Sequence, residues 1–191
     1  MKLMEADQLH VRRKVLKLLG AEFQISDEYD EFLGLARQKA LKLKEDIRVY
    51  ADEAATQEVL VIKARQIVDF SAAYDVMDPA TGQKYGALRR KGLASMFRDS
   101  WEILDQDDFP IGTIQEDNLF WALVRRYLSN LVPQSYDMRV GEELAATIRQ
   151  RFNLLVHKCD VEFTPESRQL LPRPLAVAAV VVLMAIEGRE Q

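Results

Sequence analysis

A run of twelve consecutive apolar residues near the C-terminus, Leu175 to Ile186, constrains this chain more than any other stretch. It has no polar face, and a helix that is apolar all round must be covered on every side. At 1.5 Å per residue the run reaches only about 18 Å, short of the roughly 30 Å of a bilayer's hydrocarbon core. Pro172 and Pro174 stand where a first helical turn tolerates proline, and Gly188 suits a C-terminal cap. The length and the alanines at 176, 178, 179 and 185 favour helix over strand. A central helix is therefore expected over about 174–187, and the rest of the chain must supply its wall.

Upstream, one pattern recurs: a short alternating apolar run, an Asp, a loop, and a second short run opening at Gly or Leu. Its instances are Phe23 to Asp27 leading to Gly34, Ile47 to Asp52 leading to Leu60, Tyr74 to Asp78 leading to Gly86, and Trp101 to Asp105 leading to Gly112. The Asp residues fall 25, 26 and 27 positions apart (52−27, 78−52, 105−78). Alternation such as Tyr74/Val76 has the period of a half-buried strand, and an Asp opens a turn by bonding to its own backbone. Each unit reads as a β-hairpin. Residues Ala36 to Asp46 have helix-favouring types, but the regular repeat outweighs local propensity there.

After Asp117 the periodicity changes. Asn118 caps an amphipathic run, Leu119 to Val132, ended by Pro133, so a helical insertion is expected over about 118–132. Strand-like pieces follow at Tyr136–Val140, Ala145–Gln150, Asn153–His157 and Val161–Thr164. Four hairpins give eight strands, and these pieces bring the total to about twelve. A barrel of about eight strands is filled by its own side chains, whereas a wider one encloses a space that needs an occupant. The expected fold is mainly β: a single domain over 1–191, a closed antiparallel barrel of about twelve strands around the buried C-terminal helix.

Composition narrows the function classes. A net charge of −4 argues against nucleic acid as partner, since phosphate backbones are bound by Lys and Arg. A single cysteine, Cys159, excludes an intramolecular disulfide and suits a reducing compartment. The N-terminus Met-Lys-Leu-Met-Glu-Ala-Asp lacks the apolar core of a signal peptide, so a cytoplasmic location is expected, with at most peripheral contact to membranes.

The stretch Tyr74-Asp-Val-Met-Asp-Pro-Ala-Thr-Gly82, then Trp101 to Asp105 with Ile111-Gly-Thr-Ile114, and the closing Arg173-Pro-Leu-Ala-Val-Ala-Ala-Val-Val-Val-Leu183 resemble the LURP-one-related proteins. The resemblance runs from about Val11 to Glu187. That family is grouped with phospholipid scramblases and the tubby C-terminal domain, so the resemblance implies a tubby-like barrel around a central helix. Tubby domains bind phosphoinositides through basic residues, but no tubby lipid-binding motif maps onto this chain. Scramblases carry a cysteine-rich palmitoylated segment, which a chain with Cys159 alone does not reproduce.

The repeat also carries charge. Three and five positions after Gly34, Leu60 and Gly86 stand Arg37 and Lys39, Lys63 and Arg65, and Arg89 and Lys91. In a strand these offsets share one face, opposite Ala36, Ile62 and Leu88. They are the candidate anion-binding residues, for phospholipid headgroups or another phosphorylated ligand. The competing reading is a solvated exterior neutralised by nearby acids. The stretch Asp105 to Glu116 places acids at positions 1, 3 and 12 of a calcium loop, but Phe109 and Pro110 occupy positions 5 and 6, where a ligand and Gly are needed. A hairpin turn is expected instead. Gly82 to Gly86 lacks phosphate-loop spacing, and His157 with Cys159 offers too few ligands for zinc. No catalytic residue, metal site or cofactor is assigned, and Phe120, Trp121 and Tyr127 read as packing residues of the insertion. The leading expectation is a non-enzymatic binding module for anionic lipid or a phosphorylated ligand. Its rival is a protein-interaction or structural domain that uses the 119–132 helix.

Overall fold

In the computed structural model the described residues are 1–16, 20–39, 46–65, 72–91, 100–116, 134–151 and 158–186, the side chains of 15, 16 and 39 excepted. Strands β1 (Gln8–Leu16), β2 (Gly20–Ser26), β3 (Phe32–Lys39), β4 (Asp46–Tyr50), β5 (Glu58–Ala64), β6 (Ala73–Met77), β7 (Lys84–Arg90), β8 (Ser100–Leu104), β9 (Pro110–Glu116), β10 (Ser135–Val140), β11 (Glu143–Arg151) and β12 (Lys158–Phe163) form one sheet. Each pairs antiparallel with its neighbours in the chain, and β1 pairs with β12, which closes the barrel. Helices α1 (Lys2–Glu5) and α2 (Ser167–Leu170) are single turns, and α3 spans Arg173–Ile186.

The central helix is the occupant the apolar run demands. Every residue of α3 from Leu175 to Ala185 is at most 4% exposed. Burying a large apolar side chain is worth roughly 1.5–3 kcal/mol, so α3 and the wall stabilise each other strongly. Inward residues of the wall, among them Phe23, Ile25, Ile47, Leu60, Val76, Leu88, Ile103 and Met138, complete the core. Among the described residues no helix is long and apolar enough to cross a membrane.

The recurring Asp does what its chemistry suggests. The carboxylate of Asp27 accepts from the N–H groups of Tyr29 and Glu31, that of Asp52 from Thr56 and Gln57, that of Asp78 from Ala80 and Thr81, and that of Asp105 from Asp107 and Phe109. Each turn then passes through a residue at positive φ: Asp30 (62°), Ala55 (57°), Gly82 (73°) and Asp108 (68°). A β-bulge lies just before each Asp, at Ile25/Ser26, Val49/Tyr50, Val76/Met77 and Ile103/Leu104. The repeat's Gly is a steric requirement: a Cβ on Gly86 would sit 2.3 Å from the Leu104 carbonyl oxygen and 2.8 Å from Leu175 of α3. The calcium-loop candidate is the fourth of these hairpins, and Pro110 begins β9.

Twelve strands form as expected, but from a different set. The piece expected over Asn153–His157 lies outside the described residues, whereas β1, which no pattern above assigns, completes the wall. Of the segment Ala36 to Asp46, residues 36–39 lie in β3 and Asp46 opens β4, as the repeat demands, and residues 40–45 lie outside the described residues. The chain's beginning is tied to the same end of the barrel. Leu3 of α1 is fully buried, Arg168 donates to the carbonyls of Met4 and Glu5, and Arg168 and Arg173 both reach Asp7.

Candidate functional site

Alternation places Ala36, Ile62 and Leu88 in the core, each fully buried, so Arg37, Lys63 and Arg89 face outward as the offsets require. The anticipated cations sit on or just past β3, β5 and β7, with β4 and β6 between them and β8 beyond β7. Each of these neighbouring strands carries an acid, Asp46, Asp75 or Glu102, and β4 carries Arg48 as well. Arg37 donates to Glu22 of β2 at 2.9 Å. Arg65 binds Asp75 of β6 and Asp108 of the β8–β9 turn, and Lys84 joins it on Asp108 at 2.6 Å. Arg89 and Lys91 share Glu102 of β8, at 2.6 and 3.1 Å. Lys63 stands in register between Asp46 and Asp75, and the side chain of Lys39 lies outside the described residues.

These pairs act on the carboxylates. Burial works to raise Glu102, but hydrogen bonds from Arg89 and Lys91 outweigh it and hold the carboxyl below its ordinary value. Asp108 is held low by the Arg65 hydrogen bond and then that of Lys84. On this flank most cations bind carboxylates, including Arg48 of β4, which stands in register with Arg37 and binds Asp46 and Glu58.

A different arrangement occupies the seam, where the two ends of the chain meet. On the outer faces of β11, β12, β1 and β2, one register row runs Arg151, Lys158, Arg12, Gln24, and the next runs Arg149, Asp160, His10, Ser26. Three cations thus stand side by side on consecutive strands, about 5 Å apart at the backbone. Among the described residues no carboxylate pairs with Arg12, Lys14, Arg149 or Lys158; on the flank, Lys63 shares this condition. Asp160 is the acid within the cluster, and it is already engaged: His10 Nδ1 lies 2.6 Å from one oxygen, and Arg151 Nε donates to the other.

All of these row residues but Arg149 line a groove of about 560 Å³. Its floor is the backbone at Val11 and Cys159, whose side chains point into the core. Its walls are the cations and Asp160, together with Gln24, Ser26, Glu28 and Asp30. Cys159 is 1% exposed and burial pushes its thiol up, so it takes no part in the groove's chemistry. Three features therefore meet here: cations at one end, of which Arg12 and Lys158 pair with no carboxylate among the described residues, neutral hydrogen-bonding side chains in the middle, and acids in the β2–β3 turn.

Sequence reasoning did not find this cluster. Its signal is the β1–β12 register, which joins Arg12 to Lys158 across almost the whole chain and leaves no local spacing to read. His157 of the His157/Cys159 pair lies outside the described residues. So do Arg125 and Arg126, the aromatic residues Phe120, Trp121 and Tyr127, and the whole 118–132 segment on which the protein-interaction reading rests. Among the described residues no group of His, Cys, Asp and Glu is placed to hold a metal ion.

Fold and surface together define a closed antiparallel β-barrel module filled by its own C-terminal helix. The chain belongs to the LURP-one-related family, whose model matches residues 35–184. That match opens in β3, so the strands that bring His10, Arg12, Gln24 and Ser26 to the seam precede it. No curated protein matches the chain.

Proposed function

We propose that this barrel is a non-enzymatic binding module that holds an anionic, phosphorylated group at its seam, with Arg12 and Lys158 as the main donors and Arg151 beside them. The observation that carries this reading is the contrast in pairing. Cations already bonded to carboxylates, such as Arg65 and Arg89, have little left to offer an anion. Arg12 and Lys158 make no such bond among the described residues, and they stand next to each other in a groove. Adjacent like charges on paired strands repel, and an arriving phosphate relieves that repulsion while accepting charge-assisted hydrogen bonds. A binding role is supported by the filled interior, since α3 occupies the space where a wide barrel would otherwise receive a substrate. An anionic phospholipid headgroup is the expected source of the phosphate, and each Lys or Arg near such a surface contributes about 1 kcal/mol.

The test is flotation of the whole protein with vesicles of phosphatidylcholine, with and without phosphatidylglycerol, at low and high salt. Binding is expected to the anionic vesicles alone, to weaken with salt, and to disappear in an R12E/K158E variant while persisting in R89E/K91E. Equal binding by the seam variant, or loss in the flank variant alone, would return the site to the flank cations. No binding by the parent protein would remove the lipid source.

A further inference from the structure

The seam groove is dipolar. Its cationic row, Arg151, Lys158 and Arg12, ends at Gln24 of β2, and one step along that strand Ser26 lies level with His10. The chain then turns, and Glu28 and Asp30 complete the same groove from the other end. A two-residue step along a strand is about 6.6 Å, and one such step along β2 separates Gln24 from Ser26, beyond which the turn carries the acids. Arg151, whose Nε donates to Asp160, also feels the attraction of Asp30. Between the ends, Asp160 is already hydrogen-bonded to His10 and paired with Arg151.

The acidic end is also preorganised. Asp27 accepts from the N–H groups of Tyr29 and Glu31 through its side chain, and its carbonyl accepts from Asp30. Asp30 itself holds a left-handed conformation (φ 62°), which Asp tolerates better than most residues. The exposed carboxylates of Glu28 and Asp30 are thus presented by a fixed turn rather than by a floppy one. A groove of about 560 Å³ is far larger than a lone phosphate needs and falls within the range of small-molecule sites.

We infer that the seam groove takes a phosphorylated amine, its phosphate against Arg12 and Lys158 and its ammonium between Glu28 and Asp30. This rests on the anion-binding reading above and adds to it the identity of the ligand's other end. Complementarity at both ends selects such a ligand over a plain anion, which would meet the carboxylates with nothing to offer them. The ligand can come from two sources, a soluble phosphate monoester or the headgroup of an aminophospholipid.

The experiment is an NMR titration of the ¹⁵N-labelled full chain with O-phosphoethanolamine and, separately, with ethyl phosphate, which lacks the amine. Both probes are expected to shift the amides of Arg12 and Lys158. The amine-bearing probe should bind about fivefold more tightly, the gain of one exposed ion pair. In an E28Q/D30N variant, in which Asn accommodates the positive φ of position 30, the ratio should fall to about one. Equal affinity of the two probes for the parent protein would overturn the inference while leaving the anion site standing. Failure of both probes to move those amides would overturn the anion site itself. Vesicles of phosphatidylserine and phosphatidylglycerol at equal surface charge then identify the source. A preference for phosphatidylserine places the ligand on a membrane, and a preference confined to the soluble probe makes it a free monoester; either upholds the inference.

Discussion

The flank of the barrel from β3 to β8 and the seam where β11, β12, β1 and β2 meet are built from the same kind of strand, yet they treat charge in opposite ways. On the flank, Arg37, Arg65, Arg89 and Lys91 each find a carboxylate on the next strand or turn. At the seam, Arg12 and Lys158 face each other across a register pair. The flank is made of local hairpins, in which a pair such as Arg65 and Asp75 is only ten residues apart along the chain. The seam is made by closure, which brings together strands from the two ends. On the flank the local pairs neutralise most cations, whereas at the seam closure sets Arg12 beside Lys158 with no carboxylate bonded to either among the described residues. The uncompensated part is where a ligand has something to gain.

The largest effect is expected from the element both regions lean on. Ending the chain at Leu171 removes α3 and leaves the inward faces of flank and seam alike without a partner. The lost burial exceeds the roughly 5–15 kcal/mol that stabilises a whole domain, so the truncated chain should aggregate. A soluble truncation that melts cooperatively would show that the wall stands without its helix, and the barrel would then be an empty container rather than a filled one.

Within the wall, a glycine of the repeat comes next. Gly86→Ala forces a Cβ against the Leu104 carbonyl and Leu175, at a φ of 155°, and should cost roughly 2–4 kcal/mol. Gly82→Ala has the same backbone problem (φ 73°) but open space around it, and should cost about 1 kcal/mol. Urea denaturation of the two variants checks the order. Equal losses would mean that close approach to α3 and to the next hairpin is not what the repeat's glycine secures.

These elements also show how far the residues alone lead. The central helix could be read from twelve apolar residues, and the hairpins from Asp and Gly at a steady interval, because both signals are local. The bulge before each Asp left no mark, since it follows from how the paired strands settle. β1 was hidden because its inward positions run Leu9, Val11 and then Arg13, whose guanidinium lies over the Phe23 ring; a charge there breaks the alternation that betrays a strand. The outward faces of Arg37, Lys63 and Arg89 followed from period alone. What lies beside them did not, because Asp75 and Glu102 belong to strands that the offset counting steps over. The seam cluster was beyond reach for a different reason: Arg151 and Lys158 pair within the β11–β12 hairpin, but Arg12 joins them only when the barrel closes.

Charge reversal separates the two regions on stability as well as on binding. Arg89→Glu sets a second carboxylate against Glu102, which is only 17% exposed, and should cost roughly 0.5–1 kcal/mol. Lys158→Glu places an acid between Arg12 and Arg151 and should be neutral or stabilising by a few tenths of a kcal/mol. Thermal melting of both variants at low ionic strength gives the comparison directly. A destabilising Lys158→Glu would mean that the seam cations are held by partners of their own, and the contrast with the flank would fail.

The smallest expected effect is one of pH, and it belongs to the flank. Hydrogen bonds from Arg89 and Lys91 hold Glu102 below its ordinary value, and those from Arg65 and Lys84 do the same for Asp108. A carboxyl whose folded value lies below its unfolded one binds fewer protons folded than unfolded at intermediate pH. Its contribution is therefore complete above the ordinary carboxylate range and is lost as pH falls through that range towards the depressed folded value. Acid should loosen the flank first, by breaking the links among β5, β6, β7, β8 and the β8–β9 turn. In an E102Q/D108N variant the stability near neutral pH should be slightly lower and its decline below about pH 4 shallower, as followed by urea midpoints across the acid range. A variant that loses stability with acid as steeply as the parent would show that these carboxylates are solvated charges after all. The flank and the seam would then differ in arrangement but not in energy.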